Sequence, residues 1–184
     1  MDDYYTYYCS IQNLLIKAYC DKQMILSIDS ISKNDCLDNS QDFVLGHLCE
    51  LLKSDLANNI WKVFLDDSSK SINLYKLNSI IHTKYKHNTS KLPSVSSELK
   101  GKIVNIRNHY ISHNDAEHDS CSVSMDELYE LLDKLKDTLN QMCFPDLDDR
   151  VKQTSNDIIG RVYFSVHAGT IELVNGIEPM QSQD

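Results

Sequence analysis

Proline and glycine are scarce in this chain, whose 184 residues include only three prolines and five glycines. Both residue types interrupt helices, so their scarcity favours a helical fold. No apolar run approaches the roughly 18 residues that a membrane-spanning helix requires, and the first residues lack the basic and apolar regions of a signal peptide. We therefore expect a cytoplasmic protein without membrane association, in which the six cysteines stay reduced.

Motifs of the common catalytic classes are also missing. The chain has no glycine-rich phosphate loop, no GxSxG elbow, no HExxH and no CxxC pair. The net charge of −9 argues against a protein that coats nucleic acids generally, and the lack of a strongly basic recognition helix argues against DNA binding. No cofactor and no metal are therefore expected, and the candidate chemistry must come from smaller groups of side chains.

Apolar residues recur at helical spacing through most of the chain. The pattern predicts helices over 9–28, 40–66 and 73–86, a fourth that starts after Ser94, and a fifth from Ser124 to Met142. Ser40, Ser94 and Ser124 are the expected N-caps, and residues 29–40 are expected to form a loop. The predicted fold is therefore an all-α bundle of four to five helices.

A polar segment separates this bundle from the C-terminal part of the chain. Residues 1–145 are predicted to form the helical domain, and residues 146–184 a linker and a C-terminal element that packs on the same domain. Two structures fit that element: an additional helix over about 157–174, and a β-hairpin through the alternating apolar residues 162–166. The flanking caps and the length of the element favour the helix.

One stretch, residues 102–115, combines an apolar face with groups suited to chemistry. Ile103 and Ile106 belong to a wide apolar arc at helical spacing, and Arg107 falls near the middle of that arc. Burying an unpaired guanidinium is costly, so the face around Arg107 is expected to meet a charged partner, a second protein copy or an anionic ligand. Gly101, just before the stretch, is expected to allow the close approach of a neighbouring helix.

Arg107 and His113 lie near one face of this predicted helix, about 9 Å apart along its axis. The guanidinium matches two phosphate oxygens and histidine titrates near neutrality, so together they can bind a phosphate and move a proton. RNA carries its own nucleophile, the 2′-OH, and its cleavage is a reaction that such a pair can catalyse. The segment 84–107 adds six basic residues against one acid, which suits a phosphate backbone, although a solvated face is the alternative.

The run of residues 107–115 resembles the arginine, polar residue, spacer and histidine motif of HEPN domains. It is most similar to the AbiU2-like branch, which is associated with bacterial abortive infection. Segments 60–67 and 71–77, where one predicted helix ends and the next begins, are also similar to that branch, and the resemblance covers about residues 40–142. It implies a metal-independent endoribonuclease of phage defence or a toxin–antitoxin system, which leaves a cyclic phosphate and acts as a homodimer with paired motif helices.

On this resemblance, as on their chemistry, Arg107 binds phosphate and stabilises the transition state, and His113 is the general base or acid. The resemblance also implies that Asn108 orients the site. The residues assigned to RNA binding are Lys100, Lys102, His109 and Asn114. The expected partners are RNA, with tRNA as one candidate, and an antitoxin or defence-system protein. A non-catalytic RNA- or nucleotide-binding or protein-interaction module is the alternative.

A zinc site is a second interpretation of the same stretch. His109 and His113 are four residues apart, and His118, Asp119 and Cys121 follow in the sequence. These residue types ligate zinc, but their spacing matches no standard zinc motif. RNA chemistry is therefore the leading interpretation.

Overall fold

The computed structural model describes residues 3–34, 37–86, 91–111 and 124–142, and isolated positions between 161 and 176. Its helices are α1 (Asp3–Asn34), α2 (Asn39–Ile60), a π-helical segment (Trp61–Leu65), α3 (Leu74–Tyr85), α4 (Ser97–Ile111) and α5 (Met125–Gln141). No strand occurs among the described residues, so the predicted all-α bundle is confirmed. The described C-terminal positions are helical, in agreement with a helix there. The division at residue 145 stays a prediction.

Helix α1 is the longest element and is longer than predicted at both ends. Its 32 residues extend over about 48 Å. Tyr4 and Tyr8 continue the buried stripe towards the N-terminus, and Ile28 and Ile31 continue it towards the C-terminus. The prediction of a loop from residue 29 was therefore wrong as far as Asn34, because two buried isoleucines one turn apart hold this polar segment in the helix.

Two of the three predicted N-caps were wrong by a few residues. Helix α2 is capped by Asp38, not Ser40: the Asp38 carboxylate accepts hydrogen bonds from the amides of Ser40 and Gln41 at 2.8 and 2.9 Å. Helix α4 begins after Ser96, whose hydroxyl accepts a hydrogen bond from the amide of Leu99 at 3.1 Å, and not after Ser94. A polar residue near a helix start is easy to find in a sequence, whereas the exact cap depends on where the chain turns.

The core is one continuous cluster to which all five α-helices contribute. Helix α1 packs against α2, α3 and α5, and α4 packs against α2 and the π-helical segment. Polar contacts at the edge of the core add to the α1–α5 interface: the Tyr19 hydroxyl donates to Asp133, and Lys22 lies 3.4 Å from the same carboxylate. Burial and this carboxylate raise the pKa of Tyr19, so its hydroxyl stays protonated and keeps donating.

The described helices are not apolar enough to span a membrane. None of them combines the required length with a sufficiently apolar window.

Gly101 does not have the packing role that the sequence suggested. A Cβ placed on Gly101 meets no atom within 4 Å, and the residue is exposed on α4. The expectation of a closely approaching helix was therefore wrong within the described residues. Gly46 on α2 is open in the same way.

Replacing Gly101 with alanine should stabilise the protein by roughly 0.5–1 kcal/mol, because alanine restricts the unfolded chain in a helix interior that has room for the methyl group. Urea unfolding followed by circular dichroism measures the change, and Gly46→Ala is the matched control with the same expected gain. A loss of stability with Gly101→Ala alone would show that a second molecule or a residue outside the described set contacts this position.

Asp21 is a half-buried acid at the α1–α2 interface. Its carboxylate accepts a hydrogen bond from the Asn59 side chain at 3.2 Å. Burial raises the pKa of Asp21 to about 6, with a smaller contribution from Asp55, whereas Asn59 and Lys17 lower it. Because the folded state holds this proton more tightly than the unfolded state, the stability it provides is present below about pH 4 and is lost as the pH rises through about 6.

Asp21→Asn should therefore raise stability at pH 7.5 by about 1 kcal/mol, a value reduced for the partial solvent screening of this site. The gain should nearly vanish at about pH 3.5, where Asp21 is protonated in the folded state and largely protonated in the unfolded state. Thermal unfolding at both pH values measures it, with Asp137→Asn as the control for removing one negative charge from an acidic protein. Equal gains from the two variants at pH 7.5 would contradict a special role of Asp21.

Candidate functional site: a stacked arginine on α4

Arg107 lies on α4 beside the apolar residues that the sequence analysis placed around it. Ile103 is fully buried, and Ile106 is partly buried against the core. The Arg107 side chain itself is half-buried. In the described part of α4, the Arg107 cation thus lies within the apolar arc, as the sequence predicted.

The Arg107 guanidinium stacks on an aromatic ring. Its Cζ atom lies 3.9 Å from the centroid of the Trp61 ring. This contact attracts the cation to the negative face of the indole, which contributes about 0.5–2 kcal/mol depending on desolvation. A tryptophan was not among the partners expected for Arg107 from the sequence.

Within the part of the chain that the structure describes, Arg107 has an aromatic partner but no counter-ion. The Nε atom is buried and has no hydrogen-bond partner, and no carboxylate of the described residues forms an ion pair with this guanidinium. An indole face attracts a cation but accepts no hydrogen bond from the guanidinium edge. No carboxylate of the described residues therefore competes with an anion such as a phosphate for this guanidinium.

The π-helical segment determines where Trp61 lies. It continues directly from α2, and its wider turn is closed by the Asp66 amide, which donates to the Trp61 carbonyl at 2.9 Å. Val63 and Phe64 of the segment are buried, and the Phe64 ring stacks on Tyr75 of α3 at 5.2 Å. The segment that carries Trp61 is therefore anchored by packing against α3. Such π-helical turns occur frequently at functional sites.

The two lysines assigned to RNA binding differ in their surroundings. Lys102 forms an ion pair with Glu98 one turn earlier on α4, at 2.9 Å, and this contact lowers the pKa of Glu98. Lys100 is exposed. Lys100 can therefore approach an anionic ligand, whereas Lys102 is partly buried and already has interaction partners.

The remaining predicted residues are described only in part. Asn108 is exposed on α4 and has an interaction partner. For His109 the helical backbone alone is described, and His113 and Asn114 lie outside the described residues. The zinc alternative stays untested because most of its residues lie in that same stretch. Among the described residues, no group of histidine, cysteine or acidic side chains could hold a metal ion.

Sequence reasoning missed Trp61 as a part of this site. It is the chain's single tryptophan and lies where one predicted helix ends. A large aromatic residue at the end of an apolar stripe is a signal for an edge position, but no sequence pattern pairs it with an arginine on a different helix.

Comparison with known proteins identifies the family. The HEPN family model described as AbiU2 matches residues 34–144, which is more than half of the chain. No curated protein and no solved structure matches the chain significantly. The matched range contains α2 to α5, the Arg107–Trp61 stack and the motif that follows Arg107.

Removing the Arg107–Trp61 contact should reveal a favourable coupling of about 1 kcal/mol in a double-mutant cycle of Trp61→Leu and Arg107→Met, because each variant keeps an apolar side chain but deletes one partner of the stack. The free energies of unfolding in urea provide the four corners of the cycle. A parallel cycle of Trp61→Leu with Lys134→Met, an exposed cation on α5, should show no coupling. Equal coupling in both cycles would contradict the contact.

Proposed function

The chain belongs to the AbiU2 family of HEPN proteins, and on this premise we propose that it is a metal-independent endoribonuclease of abortive infection. The observation that supports the proposal most directly is the Arg107 cation, which stacks on Trp61 at the start of the HEPN motif and has no carboxylate partner among the described residues. The indole face stabilises the cation but accepts no hydrogen bond from the edge of the guanidinium. Here the charge and the hydrogen-bond donors remain for an anionic ligand.

The proposed reaction uses the 2′-OH of RNA as the nucleophile. His113, six residues after Arg107 in the sequence, takes the 2′-OH proton or delivers one to the leaving 5′ oxygen. The 2′ oxygen attacks phosphorus, the bond to the 5′ oxygen breaks, and the products carry a 2′,3′-cyclic phosphate and a 5′-OH. Arg107 binds two phosphate oxygens and stabilises the negative charge of the transition state, and Asn108 orients the site.

A homodimer is the proposed active form, with the site shared between the motif helices of two copies. An exposed apolar surface supports self-association: Phe43, Val44 and Leu51 lie within an arc of about 100° on α2. Phe43 is 77% exposed, which is unusual for a phenylalanine in an isolated protein. Helix α2 packs directly against α4. A dimer interface on α2 would therefore lie on a helix that neighbours the motif helix.

The proposed substrate is a cytosolic RNA, with tRNA as one candidate. Lys100, Lys102, His109 and Asn114 bind its backbone next to the reacting phosphate. An antitoxin or another defence-system protein restrains the activity until infection.

A non-catalytic interaction module is the second candidate function. The exposed surface of Phe43, Val44 and Leu51 favours it equally, because such a surface also suits a different protein partner. The two candidates differ in whether the motif histidine is needed for an effect on RNA.

Arg107→Ala and His113→Ala should each reduce RNA cleavage by about 100-fold or more, because they remove charge stabilisation and proton transfer respectively. Incubation of purified protein with total tRNA in the presence of EDTA, followed by gel analysis and detection of terminal cyclic phosphate, measures the effect. Growth of bacteria that express each variant gives a second readout.

The matched controls are Arg161→Ala and His82→Ala, which remove exposed residues of the same types from other parts of the chain. They should cleave like wild type. Wild-type protein that forms a dimer, leaves RNA intact and does not slow growth would reject the nuclease in favour of the interaction module.

A further inference from the structure

A groove of about 470 Å³ lies on the side of the π-helical segment that faces α1. Three lysines and one aspartate line it: Lys17 from α1, Lys62 from the π-helical segment, and Lys70 and Asp66 from the connection to α3. The lysines exceed the aspartate by two charges, in a chain whose net charge is −9. A local concentration of positive charge against the overall sign attracts anions.

Two of these lysines are free to bind a ligand. Lys62 and Lys70 are exposed, and neither forms an ion pair or hydrogen bond within the described residues. Lys76 shows the contrast, since its ammonium group donates to the carbonyls of Ser68, Ser69 and Ser71 at 2.7–2.9 Å. Lys17 lowers the pKa of Asp21, so the argument rests on Lys62 and Lys70, which exceed Asp66 by one charge.

The connection that carries Lys70 is held in one conformation by its own hydrogen bonds. The buried Ser71 hydroxyl lies 3.0 and 2.9 Å from the carbonyl oxygens of Asp66 and Ser68, to which it donates. The buried side-chain amide of Asn73 also donates to the Asp66 carbonyl. The Asp66 carboxylate accepts a hydrogen bond from the Ser68 amide at 3.0 Å, which occupies one of its oxygens. A ligand therefore meets a backbone that is already ordered, which reduces the entropy lost on binding.

The lining of the groove suits a nucleotide unit. Leu14 and Ile72 supply apolar surface beside the lysines, and Ser10 and Asn13 supply polar groups. A volume of about 470 Å³ lies within the range of roughly 300–1,000 Å³ that small-ligand sites occupy. Apolar surface for a base or sugar next to cations for phosphate is the combination that a nucleotide requires.

The groove is close to the Arg107 stack. Lys62 follows Trp61 directly on the π-helical segment, and Trp61 contacts Arg107. Adjacent Cα atoms are about 3.8 Å apart, so the extended side chains place the Lys62 ammonium and the Arg107 guanidinium no more than about 20 Å apart. A single strand of a few nucleotides spans that distance.

We propose that this groove is a second RNA-binding subsite, which holds backbone phosphates on Lys62 and Lys70 a few nucleotides away from the phosphate bound by Arg107. The assignment of RNA as the ligand rests on the proposed function. The subsite would lengthen the footprint of one copy on the strand and fix the position of the strand relative to the motif helix.

The test uses a fluorescein-labelled 2′-O-methyl RNA of about 12 nucleotides, a length within the range of known single-strand sites. This probe cannot be cleaved by 2′-OH attack, so binding is measured separately from the reaction. Fluorescence anisotropy compares wild type with Lys62→Ala/Lys70→Ala at several salt concentrations. Loss of two phosphate contacts should weaken binding about tenfold at low salt and reduce the magnitude of the slope of log K against log salt by about 1.4.

The control variant is Lys33→Ala/Lys134→Ala, which makes the same change in net charge at exposed positions of α1 and α5. It should bind the probe like wild type, and circular dichroism checks that both double variants fold. Identical binding by the Lys62/Lys70 variant and wild type would overturn the subsite. Displacement of bound ATP that depends on these lysines, with unchanged RNA binding, would also overturn it by assigning the groove to free nucleotides.

Cleavage of unmodified RNA, measured in parallel, separates this proposal from the proposed function. Lysine-dependent binding by a wild-type protein that does not cleave RNA would support the subsite and reject the nuclease. Cleavage by wild type together with unaltered binding and cleavage by Lys62→Ala/Lys70→Ala would reject the subsite and leave the nuclease in place.

Discussion

The contact between Arg107 and Trp61 is the constraint on which the functional interpretation of this structure depends. An aromatic face stabilises a half-buried guanidinium without neutralising it. A carboxylate in the same place would hold the cation more firmly but would compete with every phosphate that approached. The stack thus resolves the conflict between placing a cation near a core and keeping it available for an anion.

The rest of the bundle positions the two partners of that contact. Trp61 is held by the π-helical segment, whose Val63 and Phe64 are anchored in the core. Arg107 is held by α4, which packs on α2 beside Ile103. Helix α1 also packs against α2 and contacts α5 through the hydrogen bond from Tyr19 to Asp133. The long helix α1 thus packs against several elements of the core, whereas the candidate functional residues lie on the π-helical segment and α4.

The π-helical segment connects the two anion-binding sites that we propose. One of its residues, Trp61, faces the motif helix, and the next, Lys62, lines the groove beside α1. Neighbouring residues of a helix project roughly 100° apart, so one turn can serve two adjacent surfaces. A strand bound at both proposed sites would wrap around this widened turn.

Sequence periodicity predicted the helices well and their ends less well. The predicted N-cap at Ser124 was correct, and the Ser124 backbone amide donates to the Glu127 side chain at 3.3 Å in a capping box. The ends at Asn34, Asp38 and Ser96 were missed because a cap depends on the direction in which the chain leaves the helix. Gly101 was misjudged for a related reason, since the packing environment of a glycine is not encoded in its neighbours.

The sequence by itself determined that the fold is helical, that Arg107 lies within an apolar arc, and that the motif after it resembles the HEPN family. These properties are local, because helical periodicity is expressed within each segment. Only the tertiary structure decided that Trp61 covers Arg107 and that Lys62 and Lys70 share a groove with α1. Those residues lie on separate elements, and they meet because the apolar stripes of the helices pack together in one core.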